Sequence, residues 1–440
     1  MLFRSLAVLA VAALVPSPND LTLRGDECRI KTDLDPRVAR GVPDQIDNYC
    51  ANFEAFYDEL GLEPRASNKV VIRLFARHAD YVEFYHRSSP GEDPPAAYFS
   101  PSLNGVVAYW DPDDPYLRQV LFHETSHQYM NRYTSHAPKW ANEGLAEYFE
   151  GWRLAPDGSL LERRPPFYDL LVLQKALRDD AYLPVKELVE MEPAVFMDFR
   201  EKYPKLDGYL HYATSWGLTW YFLEGPNEED RERYLAYLRR LCDDGARAEP
   251  FAPADWSGWS DFEKRWKDFV LAIDVKPETA DDHVILAANL REERQFRQAI
   301  EHYAAALELA PKTPDVRYWL GFCHKLMAEY DDARRYLEQA AKDDEDDPSA
   351  PYLLARIESG LDNERAPSNP EKALVWALDA SERADDESPV YLSFVARCQH
   401  LAGDPRAARK TMKKVLKLVK DAEEPVRAYY EELAASFEEE

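Results

Sequence analysis

The chain has 440 residues, more than a single hydrophobic core usually organises, so we expect two or more domains. Hydrophobic residues make up 45% and charged residues 31%, a balance that excludes a disordered or membrane-embedded chain. The formal net charge of −27 repels nucleic-acid phosphates, and no stripe of Lys and Arg offsets it, so we expect no nucleic-acid partner.

The N-terminus has the layout of a secretory signal peptide. Arg4 precedes an apolar run from Leu6 to Val15, and prolines and polar residues follow. This run is too short to cross a bilayer core of about 30 Å. We therefore expect residues 1–18 to be a signal peptide, the protein to be periplasmic or extracellular, and no segment to span a membrane.

Five cysteines are too sparse, and odd in number, for a disulfide scaffold. Pairing of Cys28 with Cys50 stays open for an exported protein. Cys323 and Cys398 fall on apolar helix faces, where we expect small buried thiols. The sequence therefore predicts folding without a disulfide framework.

Strands followed by helices predict an α+β domain over residues 19–275. Lys69–Ala76 is rich in β-branched residues, and Tyr98–Trp110 contains an Asn104-Gly105 turn that is typical of a hairpin. Prolines then precede a helical stretch from Leu117 to Tyr133. The strands are thus expected before the helices that carry the chemistry.

This helical stretch contains the motif His123-Glu124-Thr125-Ser126-His127. Two histidines four residues apart emerge from one face of a helix and can reach the same metal ion. Glu124 lies beside them, where it can take a proton from a zinc-bound water. The pattern predicts a Zn²⁺ centre with a general base.

A second helix begins soon afterwards, in the segment Trp140–Phe149. Its Glu143 can supply a third metal ligand, which leaves the fourth position to water as a catalytic site requires. Glu147 shares the same helix face and can accept the free ring N–H of a metal-bound histidine. Spacing alone lets either carboxylate reach the metal, and His136 is a further candidate for the third ligand.

The two-histidine helix followed by Asn142-Glu143-Gly144-Leu145-Ala146 resembles the gluzincins, zinc peptidases that include thermolysin-like and aminopeptidase-like enzymes. Glu143 follows His127 by 16 residues, a shorter gap than in the aminopeptidases. The whole segment looks most like a bacterial gluzincin-like group. The metzincin pattern fails, because Met130 and Tyr133 stand where it needs Gly and His.

The resemblance implies a zincin-like catalytic fold over residues 19–275 and peptide-bond hydrolysis. It implies one Zn²⁺ on His123, His127 and Glu143, with Glu124 as general base. It also favours Glu143 over the alternative third ligands and leaves the outer, orienting role to Glu147. The absence of a clear amine-binding motif favours an endopeptidase.

Tyr212 occupies the place where aminopeptidase-like gluzincins carry a tyrosine that helps to stabilise the oxyanion. His211 and Tyr209 are nearby substitutes, and a buried helix tyrosine without a catalytic role remains an equal alternative. The hairpin Tyr98–Trp110 corresponds to the edge strand on which such enzymes bind an extended peptide.

From Ala280 onward the sequence repeats itself with large and small apolar residues in alternation. This pattern lets pairs of helices stack and resembles the tetratricopeptide repeat. We expect an all-α solenoid over residues 280–440, with about four repeats and a capping helix from Pro425 to Glu438. The matching positions lie 34 residues apart: Leu286, Ala287, Phe296, Ala299 and Ala306 recur as Leu320, Gly321, Tyr330, Ala333 and Ala340.

Two functions stay open from the sequence. The first is a zinc-dependent peptidase whose repeats recruit a peptide or protein substrate, or a protein partner. The second is a catalytically silent gluzincin-like domain in a repeat-based scaffold of the cell envelope. Intact Glu124 favours the peptidase, because a scaffold has no need for a base beside a metal. A purely structural zinc site would instead show four protein ligands.

Overall fold

The chain forms two compact units, residues 1–275 and 276–440. No helix in the described part of the chain is long and apolar enough to cross a membrane. The expected signal peptide lies outside that part. The computed structural model describes residues 21–87, 89, 93–100, 103–110, 115–244, 251, 258–313, 315–361, 368–385 and 387–437.

The N-terminal unit contains a five-stranded mixed sheet with the strand order β1-β2-β3-β5-β4. The strands β2, β3 and β5 are parallel, and the edge strands β1 and β4 pair antiparallel with their neighbours. The predicted hairpin is confirmed as β4 and β5. The strands are β1 (Leu21–Arg24), β2 (Cys28–Thr32), β3 (Val70–Phe75), β4 (Ala97–Ser100) and β5 (Gly105–Tyr109).

Helices account for most of the rest of this unit, together with a small hairpin of β6 (Arg153–Leu154) and β7 (Leu160–Glu162). The helix α4 ends three residues before the predicted Tyr133, in a turn. The helices are α1 (Pro36–Ala39), α2 (Val42–Glu59), α3 (His78–His86), α4 (Pro115–Met130), α5 (Lys139–Glu150), α6 (Phe167–Arg178), α7 (Val185–Val189), α8 (Pro193–Met197), α9 (Phe199–Lys202), α10 (Leu210–Glu224), α11 (Glu228–Asp244) and α12 (Trp259–Ala272).

A cluster of aromatic rings packs α2, α4 and α5 together. Phe53 of α2 stacks on Phe122 of α4 at 4.7 Å between ring centroids, and meets Phe149 of α5 edge-on at 4.8 Å. Such pairs contribute about 0.5–1.5 kcal/mol each beyond the burial of their area. Because Phe122 points into this core, the next residue, His123, is carried onto an adjacent face of α4.

Gln128 ties α4 to the sheet. Its side-chain oxygen accepts the Val71 N–H at 3.1 Å, and its amide donates to the Asn104 carbonyl at 2.7 Å. Asn104 has a positive φ of 45°, and a Cβ at Gly105 would lie 2.9 Å from the Val71 oxygen. The hairpin turn is therefore held close to the metal-motif helix.

The helices α5 and α10 cross in close contact at Gly144. A Cβ at this position would overlap Thr219 Oγ1 and the Ser215 carbonyl oxygen of α10. Because glycine has no side chain, the backbones of α5 and α10 can approach more closely here than any other residue would allow. This contact fixes the face that α5 presents to α4.

The C-terminal unit consists of helix pairs that share four small hydrophobic cores among its described residues. Gly321 lets α15 and α16 close, since a Cβ there would overlap the Leu337 side chain. The capping helix ends at Ala435, with Glu438 outside the described residues. The helices are α13 (Ala280–Glu292), α14 (Phe296–Leu309), α15 (Val316–Leu326), α16 (Tyr330–Asp343), α17 (Ser349–Ser359), α18 (Pro370–Arg383), α19 (Pro389–Leu401), α20 (Pro405–Leu418) and α21 (Glu424–Ala435).

All five cysteines are buried free thiols. Cys28 and Cys50 therefore form no disulfide in this structure. Burial raises the pKa of the Cys323 thiol to about 11 and that of the Cys398 thiol to about 12, so both stay protonated at neutral pH. These thiols act as small core residues of the helical unit.

Gly144→Ala should destabilise the N-terminal unit by about 1–3 kcal/mol, because the methyl group must push α5 away from the α10 backbone. Urea unfolding followed by circular dichroism measures the change. Gly41→Ala is the matched control, since nothing lies within 4 Å of its Cβ position and its φ is −88°. Equal stability of the two variants would contradict a close crossing at Gly144.

Candidate metal centre

The crossing of α4 and α5 brings three potential metal ligands together. Glu143 Oε2 lies 3.4 Å from His127 Nε2 and 3.9 Å from His123 Nε2, and all three side chains are buried. Zinc bonds of about 2.0–2.2 Å place tetrahedral ligand atoms about 3.4 Å apart. The two distances to Glu143 fit zinc ligands after a small contraction on the His123 side, and ligand atoms of all three residues lie within 4.8 Å of one another.

Hydrogen bonds from the far side of each ring orient the two histidines. His123 Nδ1 donates to Glu150 Oε2 at 2.9 Å, and His127 Nδ1 donates to Asn142 Oδ1 at 3.2 Å. Because each Nδ1 is held by an acceptor, each Nε2 is left on the side of Glu143, where it can ligate a metal ion that takes the place of its proton. The rings are thus arranged for ligation by Nε2.

The carboxylate that accepts the His123 ring N–H is that of Glu150, whereas the sequence predicts Glu147 for this contact. Residues 143, 147 and 150 share a face of α5, so their spacing cannot choose between them. The crossing of the helices places His123 opposite the last turn of α5, where Glu150 lies. Glu147 instead accepts the Tyr209 hydroxyl at 3.0 Å. Spacing at i+7 from Glu143 was the sequence signal that could have indicated Glu150.

Glu147 is part of a buried acidic group behind His123. One of its oxygens and one oxygen of Asp169 have no hydrogen-bond partner among the residues that the structure describes. Burial, followed by the charges of Asp169 and Glu150, raises the pKa of Glu147 well above its usual range. Ligand atoms of His123, Glu147 and Glu150 also lie within 4.8 Å of one another. These three residues are therefore a second group with the spacing of metal ligands.

The pKa values of the ligand residues reflect their mutual attraction. Burial alone would raise the pKa of Glu143, but the positive charges of His127, Lys139 and His123 hold it well below its usual range. Burial alone would lower the pKa of His123, but Glu150 and Glu147 raise it well above 6.5. The site therefore attracts positive charge, as a metal centre requires.

The Glu124 side chain extends from α4 to the edge of the sheet. Its Oε2 accepts the main-chain N–H of Phe99 in β4 at 2.6 Å. Because β4 is an edge strand and Phe99 directs this N–H to Glu124, the side of the strand that lies away from β5 faces Glu124. Glu124 thus stands where a chain lying along β4 would pass.

Tyr212 lies in α10 and not in either of the helices that carry the metal ligands. It is half-buried and lines a pocket of about 430 Å³. Burial, followed by the charges of Glu143, Glu147 and Glu124, raises its pKa well above 10. Its hydroxyl group is therefore neutral at physiological pH and can donate a hydrogen bond. Its ring stacks on that of Tyr209 at 5.3 Å between centroids, and the Tyr209 hydroxyl donates to Glu147 of α5.

The other candidate residues have different surroundings. His211 stacks on Phe199 at 4.2 Å, and burial lowers its pKa to about 4, so the ring is neutral. The Tyr209 hydroxyl is committed to Glu147. His136 lies within 3.2 Å of the Ser135 hydroxyl and belongs to neither metal-competent cluster found in the described part of the chain.

Residues 290–357 match the tetratricopeptide repeat family. No curated protein matches the chain. Among solved structures, a MamA RS-1 double mutant shares 20% identity over 37% of this chain and 87% of its own, with a TM-score of 0.30. A second structure, MamA from residue 41 to its end from Desulfovibrio magneticus RS-1, shares 17% identity. The match covers 45% of this chain and 98% of that one, with a TM-score of 0.30. The family match confirms tetratricopeptide repeats in the C-terminal unit.

Glu150→Gln should weaken metal binding by about 10–100-fold, because the amide is a poorer acceptor for the His123 ring N–H. Competition with a chromophoric chelator measures the affinity. Glu147→Gln is the matched control and should change the affinity less, since the hydrogen-bond partner of Glu147 is Tyr209. Glu150 ends α5, where removal of a negative charge relieves the helix dipole, so folding should not suffer. A larger loss for Glu147→Gln would restore Glu147 to the orienting role.

Proposed function

We propose that the N-terminal unit is a zinc-dependent peptidase of the gluzincin type, acting on a peptide or protein substrate. The observation that carries the proposal is the convergence of His123, His127 and Glu143 beside Glu124 and the edge strand β4. Three protein ligands leave a position for water, as in catalytic rather than structural zinc sites. We retain an endopeptidase and an exported protein as parts of this proposal.

Zinc on these three residues would supply a Lewis acid and lower the pKa of a coordinated water. Residues of the chain would supply the proton transfer and hold the substrate. Glu124 is placed to take a proton from the attacking water and deliver it to the leaving amine. An extended substrate added along β4 would present its main chain to Glu124, because the strand holds any peptide by main-chain hydrogen bonds.

Tyr212 is the proposed donor to the oxyanion that forms on the substrate carbonyl. A neutral hydroxyl group directed at developing negative charge stabilises the transition state more than the ground state. The raised pKa of Tyr212 keeps the hydroxyl protonated over the range in which such an enzyme works. Tyr209 and His211 are less suited, since one is bound to Glu147 and the other packs against Phe199.

The tetratricopeptide repeats support a second candidate function, binding of a protein partner. In the peptidase proposal, this unit recruits the substrate or an assembly partner. In the alternative, the N-terminal unit is catalytically silent and the protein is a scaffold of the cell envelope. The two proposals differ in whether metal-loaded protein hydrolyses peptide bonds.

Glu124→Gln should keep about one equivalent of zinc and lose about 10²–10⁴-fold of the hydrolytic rate, since the amide cannot accept the proton. Metal analysis of the purified protein, beside cleavage of a mixed peptide library, measures both properties. His123→Ala is the contrasting variant and should lose the metal as well. Fully metal-loaded wild-type protein that cleaves no peptide in the library would favour the scaffold instead.

Tyr212→Phe should lower kcat by about 10²–10³-fold and leave KM nearly unchanged, because it removes a donor used only in the transition state. Tyr209→Phe is the matched control, because it removes the same phenolic oxygen three residues earlier in the chain. The Tyr209 hydroxyl already donates to Glu147 and is not the proposed oxyanion donor. Steady-state kinetics on one cleaved peptide compare the two. Equal losses in both variants would remove the catalytic assignment of Tyr212.

A further inference from the structure

The two oxygens of Glu143 have different partners. Oε2 faces the imidazoles, while Oε1 lies 3.2 Å from the ammonium nitrogen of Lys139, one helical turn earlier. The Lys139 side chain is one-third exposed, at 33%, so two-thirds of it is packed against the protein. The ammonium group is therefore held beside the carboxylate, at the candidate metal centre.

Helix stability does not explain a lysine at this position. Lys139 is the first residue of α5, after the N-cap Pro138, where the positive end of the helix dipole disfavours a cation. A lysine four residues before a glutamate is also the weaker orientation of such a pair. Packing the long side chain costs rotamer entropy in addition. Helix stability therefore gives little reason for a lysine at this position.

We infer, on the basis of the proposed zinc centre, that Lys139 is a positioning residue that keeps Glu143 a one-oxygen ligand. A carboxylate can bind a cation through one oxygen or through both. A charge-assisted hydrogen bond from the ammonium group occupies Oε1 and weakens it as a metal ligand. Lys139 therefore preserves the open coordination position that a catalytic zinc site needs.

The same contact adjusts the charge of the site. Glu143 brings a full negative charge to the ligand set, and the Lys139 ammonium group, 3.2 Å from its Oε1, offsets part of it. A less negative ligand donates less electron density to the ion, which remains a stronger Lewis acid. Without Lys139, Glu143 should bind more strongly and through both oxygens, so that the ion and its water would have five ligand atoms instead of four.

Cobalt(II) in place of zinc reports the number of ligands directly, because its visible absorption is intense in four-coordinate sites and weakens as ligands are added. Lys139→Met keeps the length of the side chain and removes the charge. It should bind one equivalent of Co²⁺ with a weaker absorption band than wild type. Lys139→Arg should restore the wild-type spectrum, since a guanidinium group also donates to Oε1.

Lys264→Met is the matched control, since Lys264 pairs with Asp268 four residues on, at 2.7 Å, on the exposed side of α12. Its cobalt spectrum and activity should equal those of wild type. On a cleaved peptide, Lys139→Met should lose about 10–100-fold in kcat with little change in KM. Lys139→Ala provides a second uncharged variant if the methionine variant does not fold.

The outcomes separate this inference from the function on which it rests. Identical cobalt spectra for wild type and both uncharged variants would overturn the role of Lys139 and leave the peptidase proposal intact. Wild-type protein that binds no cobalt would overturn the metal centre and the role of Lys139 together. A weakened band in Lys139→Met, restored in Lys139→Arg, supports the positioning role even where no substrate has been identified.

Discussion

The crossing of α4 and α5 is the constraint on which the candidate centre depends. Aromatic packing against α2 through Phe122 and Phe149 fixes the rotation of both helices. Gly144 then brings α5 against α10, so α5 cannot turn without displacing a backbone. With both helices held, the imidazoles of α4 and the carboxylate of Glu143 converge without any further element. The hydrophobic core thus sets the geometry of a polar site.

Burial of negative charge is the second organising feature of this unit. Glu143 lies among positive groups, and its carboxylate stays ionised. Glu147 and Asp169 lie among other carboxylates instead, and burial raises the pKa of both. Glu143 and Glu147, four residues apart in the same helix, therefore differ in the direction of their pKa shift because their neighbours differ.

Several features follow from the sequence because they depend on local geometry. Helical spacing places His123 and His127 on one face, and their Nε2 atoms do point to the same carboxylate. The Asn104-Gly105 turn predicts the hairpin that forms the sheet edge. The 34-residue period predicts stacked helix pairs, and the tetratricopeptide repeat match lies in that region. Each of these features involves residues that are neighbours in one helix, one turn or one repeat.

The tertiary structure decided what depends on the angle between elements. Glu147 and Glu150 share a face of α5, and only the crossing with α4 shows that Glu150 meets His123. The approach of Phe99 to Glu124 depends on how the sheet edge lies against α4. The sequence therefore determined which residues share a helix face or a turn. Contacts between elements required the fold, because side-chain packing rather than local spacing sets the distance and rotation between helices.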